Sequence, residues 1–538
     1  VVIVGYALLF ILRHYNFMAV PQPDYFSFRD VARSFARLSW PFYFKRAPLY
    51  PALIAVGALV APGRDPFLTA AAAGNVVAAG AVLALTYFWA RRSASRWAPL
   101  VVALVATFSQ FPLLAAIPLC ETVLLLLILA AALSAGRGSG WTYLWAGAAA
   151  ATRYEALALI PLVALADIAY WRRRRLIAYA AAAAVPVAAW LLAGYVKTGS
   201  LNPYVDEIQA LYLSGWAFPR ELLSSFFEVG KPARWPLAGA FAAVTLLGLA
   251  RLAARGHAGE RVYVAFAVIY TTVHIIFPFS FRRFVLPLWP LLALAFVVGG
   301  RALFSAVGRL RGRWLWPAVT ALFAGAAAAG VAWRLSVNIY MPWQTTFFVG
   351  VLPLVGLIIC VLWGAAGGPS GARRAAAVAA AALVVTLIFD SNFSRFVAER
   401  RALRTDRAAL KSAATWLRRA ADPNDIIVAS DARLFAYYFG PAGPKARKPA
   451  SFHAKNFTRF TAKARRAGVA YVCYDSISAA DPEGYFTARS GAALLLPLAG
   501  GRDRPPYYFL ARVQAPGEYV LIYRLSAEPL PPSADGGW

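Results

Sequence analysis

Residues 172–193 read Arg172-Arg-Arg-Arg-Leu-Ile-Ala-Tyr-Ala-Ala-Ala-Ala-Ala-Val-Pro-Val-Ala-Ala-Trp-Leu-Leu-Ala193. The apolar part, Leu176–Ala193, can form most of a bilayer crossing, because a helix satisfies its backbone amides without water. The arginine block at its edge is the charge signal that fixes which side of a membrane a loop occupies. The same kind of run recurs at Val123–Ala135, Leu315–Ala332 and Ala375–Phe389. The whole chain is 60% hydrophobic and 14% charged, with a mean hydropathy of +0.58. Soluble domains carry nearer a quarter charged residues, so this chain is not folded in water throughout. It reads as a polytopic α-helical membrane protein.

The net charge of +30 would suggest nucleic acid in a soluble protein. Here most arginines lie in short clusters between apolar runs, at Arg91/Arg92/Arg96, Arg172–Arg175, Arg251/Arg255/Arg261, Arg301/Arg309/Arg311/Arg313 and Arg373/Arg374. That is topology coding, and nucleic-acid binding is the weaker reading. Glu260 is the acidic exception in these loops.

If all five clusters face the cytoplasm, the segments between them come in even numbers. Pairs fit at about 98–114 and 121–136, 141–152 and 155–171, 177–195 and 237–251, 262–277 and 284–299, and 315–332 and 345–363. With 1–13, 66–90 and 375–389 the expectation is about thirteen helices, starting inside and ending outside. The run Val1–Leu12 reads as a first helix lacking its cytoplasmic start, not as a signal peptide, since no small-residue cleavage site follows. Segment 141–152 is short for a full crossing.

This topology predicts a membrane domain over 1–390, with external loops at about 14–65 and 196–236, and an extracytoplasmic domain over 391–538. In the tail, Ala408–Ala421 reads as an amphipathic helix. Asp422-Pro-Asn-Asp425 then turns the chain into a strand at Ile426–Ser430, and Thr458–Arg466 suits a helix. Val469–Tyr474 and Tyr519–Leu525 suit further strands, and the alternation predicts a small α/β domain. No glycine-rich phosphate loop is present, so the tail is not an obvious nucleotide site. Cys120, Cys360 and Cys473, and the dispersed His14, His257, His274 and His453, give no disulfide framework or zinc spacing.

Several polar residues stand out on the predicted external side. Asp24 precedes an amphipathic stretch with Phe28, Val31, Phe35 and Leu38 on one face. It suits a helix cap, or a carboxylate at the membrane boundary that accepts a proton from an alcohol. Lys45 and Arg46 precede Ala47-Pro-Leu-Tyr50-Pro, where two cations suit either a lipid-headgroup anchor or a bound phosphate. Arg153 and Glu155 flank Tyr154, and Glu121 opens a helix, where the helix dipole accounts for it as well as function does. Arg282 and Arg283 run against the positive-inside trend, for which a bound anion is one reason. The loop after 196 contains Lys197-Thr-Gly-Ser-Leu-Asn202-Pro.

In order and sidedness these motifs resemble the GT-C superfamily of membrane glycosyltransferases, in the branch of protein O-mannosyltransferases and lipid A aminoarabinose transferases. Asp24-Tyr-Phe-Ser-Phe-Arg-Asp-Val-Ala32 is similar to that family's first external loop, with Asp24 at the catalytic position. Arg46-Ala-Pro-Leu-Tyr50 resembles its Lys-Pro-Pro-Leu-Tyr, and Cys120-Glu121-Thr its Thr-Glu helix start. Thr152-Arg153-Tyr-Glu155, Gly199-Ser-Leu-Asn202-Pro and Arg283-Phe-Val-Leu-Pro-Leu-Trp-Pro290 resemble three further motifs. The resemblance covers essentially the whole chain. Lys45 replaces an acidic residue and Ala47 a proline, which weakens the case for a metal assisted by that acid, so a divalent cation stays open.

The resemblance implies a hexosyl- or pentosyltransferase in the plasma (inner) membrane that takes a polyprenyl-phosphate sugar as donor. The acceptor would be a hydroxyl on a glycan, lipid or protein, on the extracytoplasmic side. Asp24 would act as base, with Arg46, Arg283, Arg153, Arg282 and Lys45 around the donor phosphate. Tyr50, Glu121, Glu155, Lys197 and Asn202 would complete the site. A transporter or lipid flippase, or a non-catalytic envelope-assembly protein, is the alternative. Transporters tend to place charges at the midplane, whereas here the polar residues gather at one surface.

Overall fold

The computed structural model describes residues 23–199, 235–276, 282–307, 408–476 and 492–526, with 218, 219 and 222 besides; 42–43, 64, 109, 172–176, 441–442 and 516–517 fall outside. The expected segments 1–13, 315–332, 345–363 and 375–389 lie outside the described residues. So do most of the loop 196–236, including Asn202, and the clusters Arg172–Arg175, Arg309/Arg311/Arg313 and Arg373/Arg374. The chain forms two compact units. One contains the described residues from Ser27 to Val307. The other contains those from Ala408 onward together with Pro23–Phe26.

Helix α1 runs over Pro23–Ala36, its residues from Ser27 onward in the first unit. The helix already includes Pro23, so Asp24 lies in its first turn instead of capping it. Phe28 and Val31 are buried and Phe35 packs against Trp190, but Leu38 lies beyond the helix end and is exposed. Helix α2 (Leu49–Ala58) lies in the predicted external loop. The long α3 (Pro66–Ala94) starts with Asp65 accepting the Leu68 amide at 3.1 Å and with Pro66 at its first position, where a missing N–H costs nothing. Ser95, at φ +50°, ends α3, and the chain continues through a short 3₁₀ turn into α4 (Ala98–Thr107).

The expected single segment 98–114 is two helices. Helix α4 ends at Phe108, whose backbone is extended, and α5 (Gln110–Ala116) follows as a short separate piece. Pro112, in the first turn of α5 where its missing N–H is tolerated, is the local cue for this restart.

Helix α6 (Glu121–Ala135) is hydrophobic nearly all round and buried on almost every face, as a central helix must be. It packs against α3, against α7 (Trp141–Thr152) and against α11 (Ala258–Ile276). After α7 come a 3₁₀ turn at Tyr154–Ala158, α8 (Leu159–Ala166) and a π turn at Asp167–Trp171, where the buried Asp167 accepts the Tyr143 hydroxyl at 2.8 Å. Helix α9 spans Ile177–Thr198, α10 Trp235–Arg255 and α12 Trp289–Val307. Among the described residues four helical stretches are long and apolar enough to cross a membrane: Pro66–Ala106, Tyr154–Trp171, Ala178–Thr198 and Arg283–Leu303.

Close helix approaches are made by glycine. A Cβ on Gly248 in α10 would lie 1.7 Å from the Ala295 carbonyl oxygen of α12, and one on Gly259 in α11 would lie 1.9 Å from the Ala132 carbonyl of α6. Small residues at such crossings replace the hydrophobic drive that lipid cannot supply. The exceptional Glu260 is a helix-start device. It accepts the His257 amide at 2.9 Å and the Ser93 hydroxyl, satisfying groups that α11 leaves open.

The second unit holds a five-stranded sheet in the order β2-β1-β3-β5-β4. After α13 (Ala408–Ala420) come β1 (Ile426–Ala429), α14 (Ala432–Phe439), β2 (Lys445–Arg447), α15 (Phe457–Arg466) and β3 (Val469–Asp475). β1 pairs in parallel with both β2 and β3. β4 (Tyr507–Ala515) and β5 (Glu518–Leu525) form an antiparallel hairpin whose β5 pairs with β3. Val428, Phe460, Val472, Tyr507, Leu521 and Tyr523 fill its core.

Candidate active site

Helix ends and turns of the first unit bring Glu121, Arg153, Glu155 and Arg283 together. Arg153 is the C-terminal cap of α7 and is extended, at φ −150° and ψ 135°. Tyr154 and Glu155 open the 3₁₀ turn that follows it. The Arg153 guanidinium grips Glu155 through Nη2–Oε1 at 2.8 Å and Nε–Oε2 at 3.4 Å, and reaches Glu121 Oε1 through Nη1 at 3.1 Å. Arg283, in the 3₁₀ turn Arg282–Leu288, has Nε 3.5 Å from the same Glu121 oxygen. The Phe284 ring lies beside both guanidinium groups, 4.8 Å from Cζ of Arg153 and 5.4 Å from Cζ of Arg283. Two guanidiniums and two carboxylates thus balance. Held this way the arginines are fixed in orientation before any ligand arrives.

Glu121 is 3% exposed and is the first residue of α6, so its charge also faces the positive end of that helix. Tyr270 and His274, on the last turns of α11, close the cluster. His274 Nδ1 lies 2.8 Å from the Tyr270 carbonyl, and its ring is 4.0 Å from Tyr270 and 5.1 Å from Phe284. Both residues lie in the field of Arg153 and Glu155. The sequence reading missed this pair because each looks like ordinary core on an apolar helix.

A second cationic group adjoins the first. Arg46 Nε donates to Ser27 Oγ at 2.8 Å, and its guanidinium stacks 4.7 Å from the Phe28 ring centre. Lys45 is 8% exposed. Its loop is held on both flanks: the Tyr154 hydroxyl donates to the Phe44 carbonyl at 3.2 Å, and the Trp190 indole to the Arg46 carbonyl at 3.1 Å. Tyr154 stands between Arg153 and Glu155 in sequence, so its bond to the Phe44 carbonyl brings the two groups next to each other.

Tyr50 is buried in α2 and donates to Asn75 Oδ1 at 3.3 Å. The Lys197 ammonium is 5.8 Å from the ring centre of Trp40, which stacks on Phe44 beside Lys45. Arg282 starts the turn that carries Arg283. Asp24 belongs with the second unit and occupies the first turn of α1. Among the described residues no three His, Cys, Asp or Glu side chains converge on a metal position. The carboxylates that do converge, Glu121 and Glu155, are both bonded to Arg153.

No protein-family profile and no curated protein matches the sequence. Solved structures do match. ArnT from Cupriavidus metallidurans bound to undecaprenyl phosphate aligns with a TM-score of 0.57 at 16% identity, over 97% of this chain and 97% of its own. The same protein in the apo state aligns at 0.56 and 16% over equal shares. The oligosaccharyltransferase AglB from Archaeoglobus fulgidus, in complex with an inhibitory peptide and a dolichol-phosphate, aligns at 0.52 and 12% identity, over 99% of this chain and 74% of its own. At such identities the likeness is one of fold alone.

Proposed function

We propose that this chain is an inverting glycosyltransferase of the GT-C superfamily, moving a sugar from a polyprenyl-phosphate donor to an acceptor hydroxyl on the extracytoplasmic side of the plasma (inner) membrane. The observation that carries the reading is the end-to-end fold match with a protein solved with undecaprenyl phosphate bound. The adjoining cationic groups support it, because a lipid phosphate needs fixed positive charge at the membrane boundary. The predicted layout of about thirteen helices and an extracytoplasmic α/β domain over 391–538 belongs to the same proposal.

In the proposed reaction Asp24 takes the proton of the acceptor hydroxyl while its oxygen attacks the anomeric carbon. The carbon–oxygen bond to the lipid phosphate breaks in line, and the phosphate leaves with the electron pair. Asp24 supplies the base, a contribution commonly of about 10²–10⁴-fold. The leaving group needs no proton when its charge is neutralised. Lys45 and Arg46 stand with Arg153 and Arg283 as candidates for that task. Arg153 and Arg283 then act as an oriented wall whose field favours the developing charge. A single base suffices, unlike the acid pair of a glycosidase.

The test is transfer of radiolabelled sugar from a synthetic polyprenyl phosphate by the purified chain in vesicles, with envelope glycans, lipids and proteins offered as acceptors. Release of free lipid phosphate coupled to labelled acceptor supports the reading. Translocation of the donor without cleavage would establish a flippase instead.

A further inference from the structure

We propose that Asn75 is a positioning residue for Glu121, acting through the broken backbone between α5 and α6; its catalytic consequence rests on the glycosyltransferase reading, its structural consequence does not. The chain between Ala116 and Glu121 has no continuous helix to absorb its carbonyl groups. Buried from water, such groups need donors from elsewhere in the protein. Asn75, fully buried in the middle of α3, supplies them: Nδ2 lies 2.6 Å from the Ile117 carbonyl, 2.8 Å from that of Leu119 and 3.4 Å from that of Leu114. Thr122 adds a hydroxyl bond to the Leu114 carbonyl at 3.1 Å.

The amide has a fixed sense. Tyr50 donates to Oδ1, so both Asn75 hydrogens point at the break. Three elements, α2, α3 and the α5–α6 break, are thereby tied by one side chain. The residue that follows Cys120 is the acid on which Arg153 and Arg283 both bear, through one oxygen. A shift of the α6 start moves that oxygen, and with it two guanidinium groups. Plain satisfaction of buried carbonyls would require a donor anywhere nearby. A donor pinned by a second buried hydroxyl, and set against the entry to Glu121, fixes position as well.

Cys120 is a built-in reporter, since it sits inside the break and is 4% exposed. The experiment uses the full chain in vesicles and measures N-ethylmaleimide labelling of Cys120 by mass spectrometry, with the buried Cys473 as internal reference. In Asn75→Leu, Cys120 labels at least about tenfold faster while Cys473 is unchanged; Tyr50→Phe, which keeps the amide donors, gives a smaller rise. In the transfer assay kcat falls about 10²-fold in Asn75→Leu, as expected for a displacement near 1 Å, with donor KM nearly unmoved. Unchanged Cys120 labelling in both variants overturns the proposal, as does a parallel rise at Cys473, which would mark general unfolding. If Asn75→Leu does not fold, Tyr50→Phe decides alone by the same two cysteines. If the wild type transfers no sugar yet Cys120 responds as stated, the positioning role stands and the glycosyltransferase reading falls.

Discussion

The Tyr154 hydroxyl donates to the Phe44 carbonyl at 3.2 Å, and so the turn that carries Arg153 and Glu155 also holds the loop that carries Lys45 and Arg46. Two cationic segments far apart in sequence share one anchor. Tyr154→Phe removes that anchor and keeps the ring. A neutral hydrogen bond contributes about 0.5–1.5 kcal/mol, so undecaprenyl phosphate is expected to bind about two- to tenfold more weakly. Unaltered lipid affinity, read by titration of the purified protein, would reduce Tyr154 to simple packing.

Asp24→Asn keeps the size of the side chain and removes the base. Transfer from a lipid-phosphate sugar should drop by about 10²–10⁴-fold while the protein still inserts and melts as the wild type does. Wild-type rates in this variant would eliminate Asp24 as base.

Arg153→Ala leaves Glu121 and Glu155 facing each other in a poorly solvated site. Removing one partner from a buried ion pair costs about 3–5 kcal/mol, so the detergent-solubilised protein should melt at clearly lower temperature. Arg153→Lys should recover little of this. An ammonium cannot reproduce the fork that spans Glu155 and still reaches Glu121. A lysine variant as stable as the wild type would show that the charge alone mattered.

Gly248→Val forces α10 and α12 apart, since even a Cβ would collide with the Ala295 carbonyl. Overpacking of this kind costs about 1–3 kcal/mol. The control Gly300→Ala, which meets open space, should leave the melting temperature nearly unchanged.

The C-terminal unit should weaken in alkali. Burial pushes the Cys473 thiol up, with Asp475 adding to it, and pushes Tyr507 up to about 12 against the Thr461 hydroxyl, which lowers it. Each group keeps its proton in the fold to higher pH than in the unfolded chain. Their contribution is therefore complete below the unfolded values of about 8.5 for thiol and 10 for phenol, and is lost as pH rises through the folded ones. Thiol labelling of Cys473 between pH 7 and 11 tracks this. Fast labelling at pH 8 in the folded protein would contradict it.

The amino-acid order alone determined the membrane class, because long apolar runs flanked by arginine allow no other solvent for the backbone. It also placed the strands at Ile426–Ala429, Val469–Asp475 and Glu518–Leu525. Alternating β-branched and aromatic residues between turn signals are a local cue there, and the cue held. β2 and β4 were missed: Lys445–Arg447 is too short and too charged to look like a strand, and Tyr507–Ala515 alternates weakly. Arg153 with Glu155 was visible as a pair of near neighbours.

What only the tertiary structure decided is which distant residues meet. Glu121 and Arg283 come together because α6 and the 3₁₀ turn before α12 pack end to end, a relationship that no periodicity records. The backbone between Ala116 and Glu121 depends likewise on Asn75, a lone amide in an apolar run. Its presence there was a hint beside Pro112 and Pro118, since a buried amide must spend its hydrogen bonds on something. Helix ends are chosen by the neighbours that satisfy them, and neighbours are set by packing, not by sequence order.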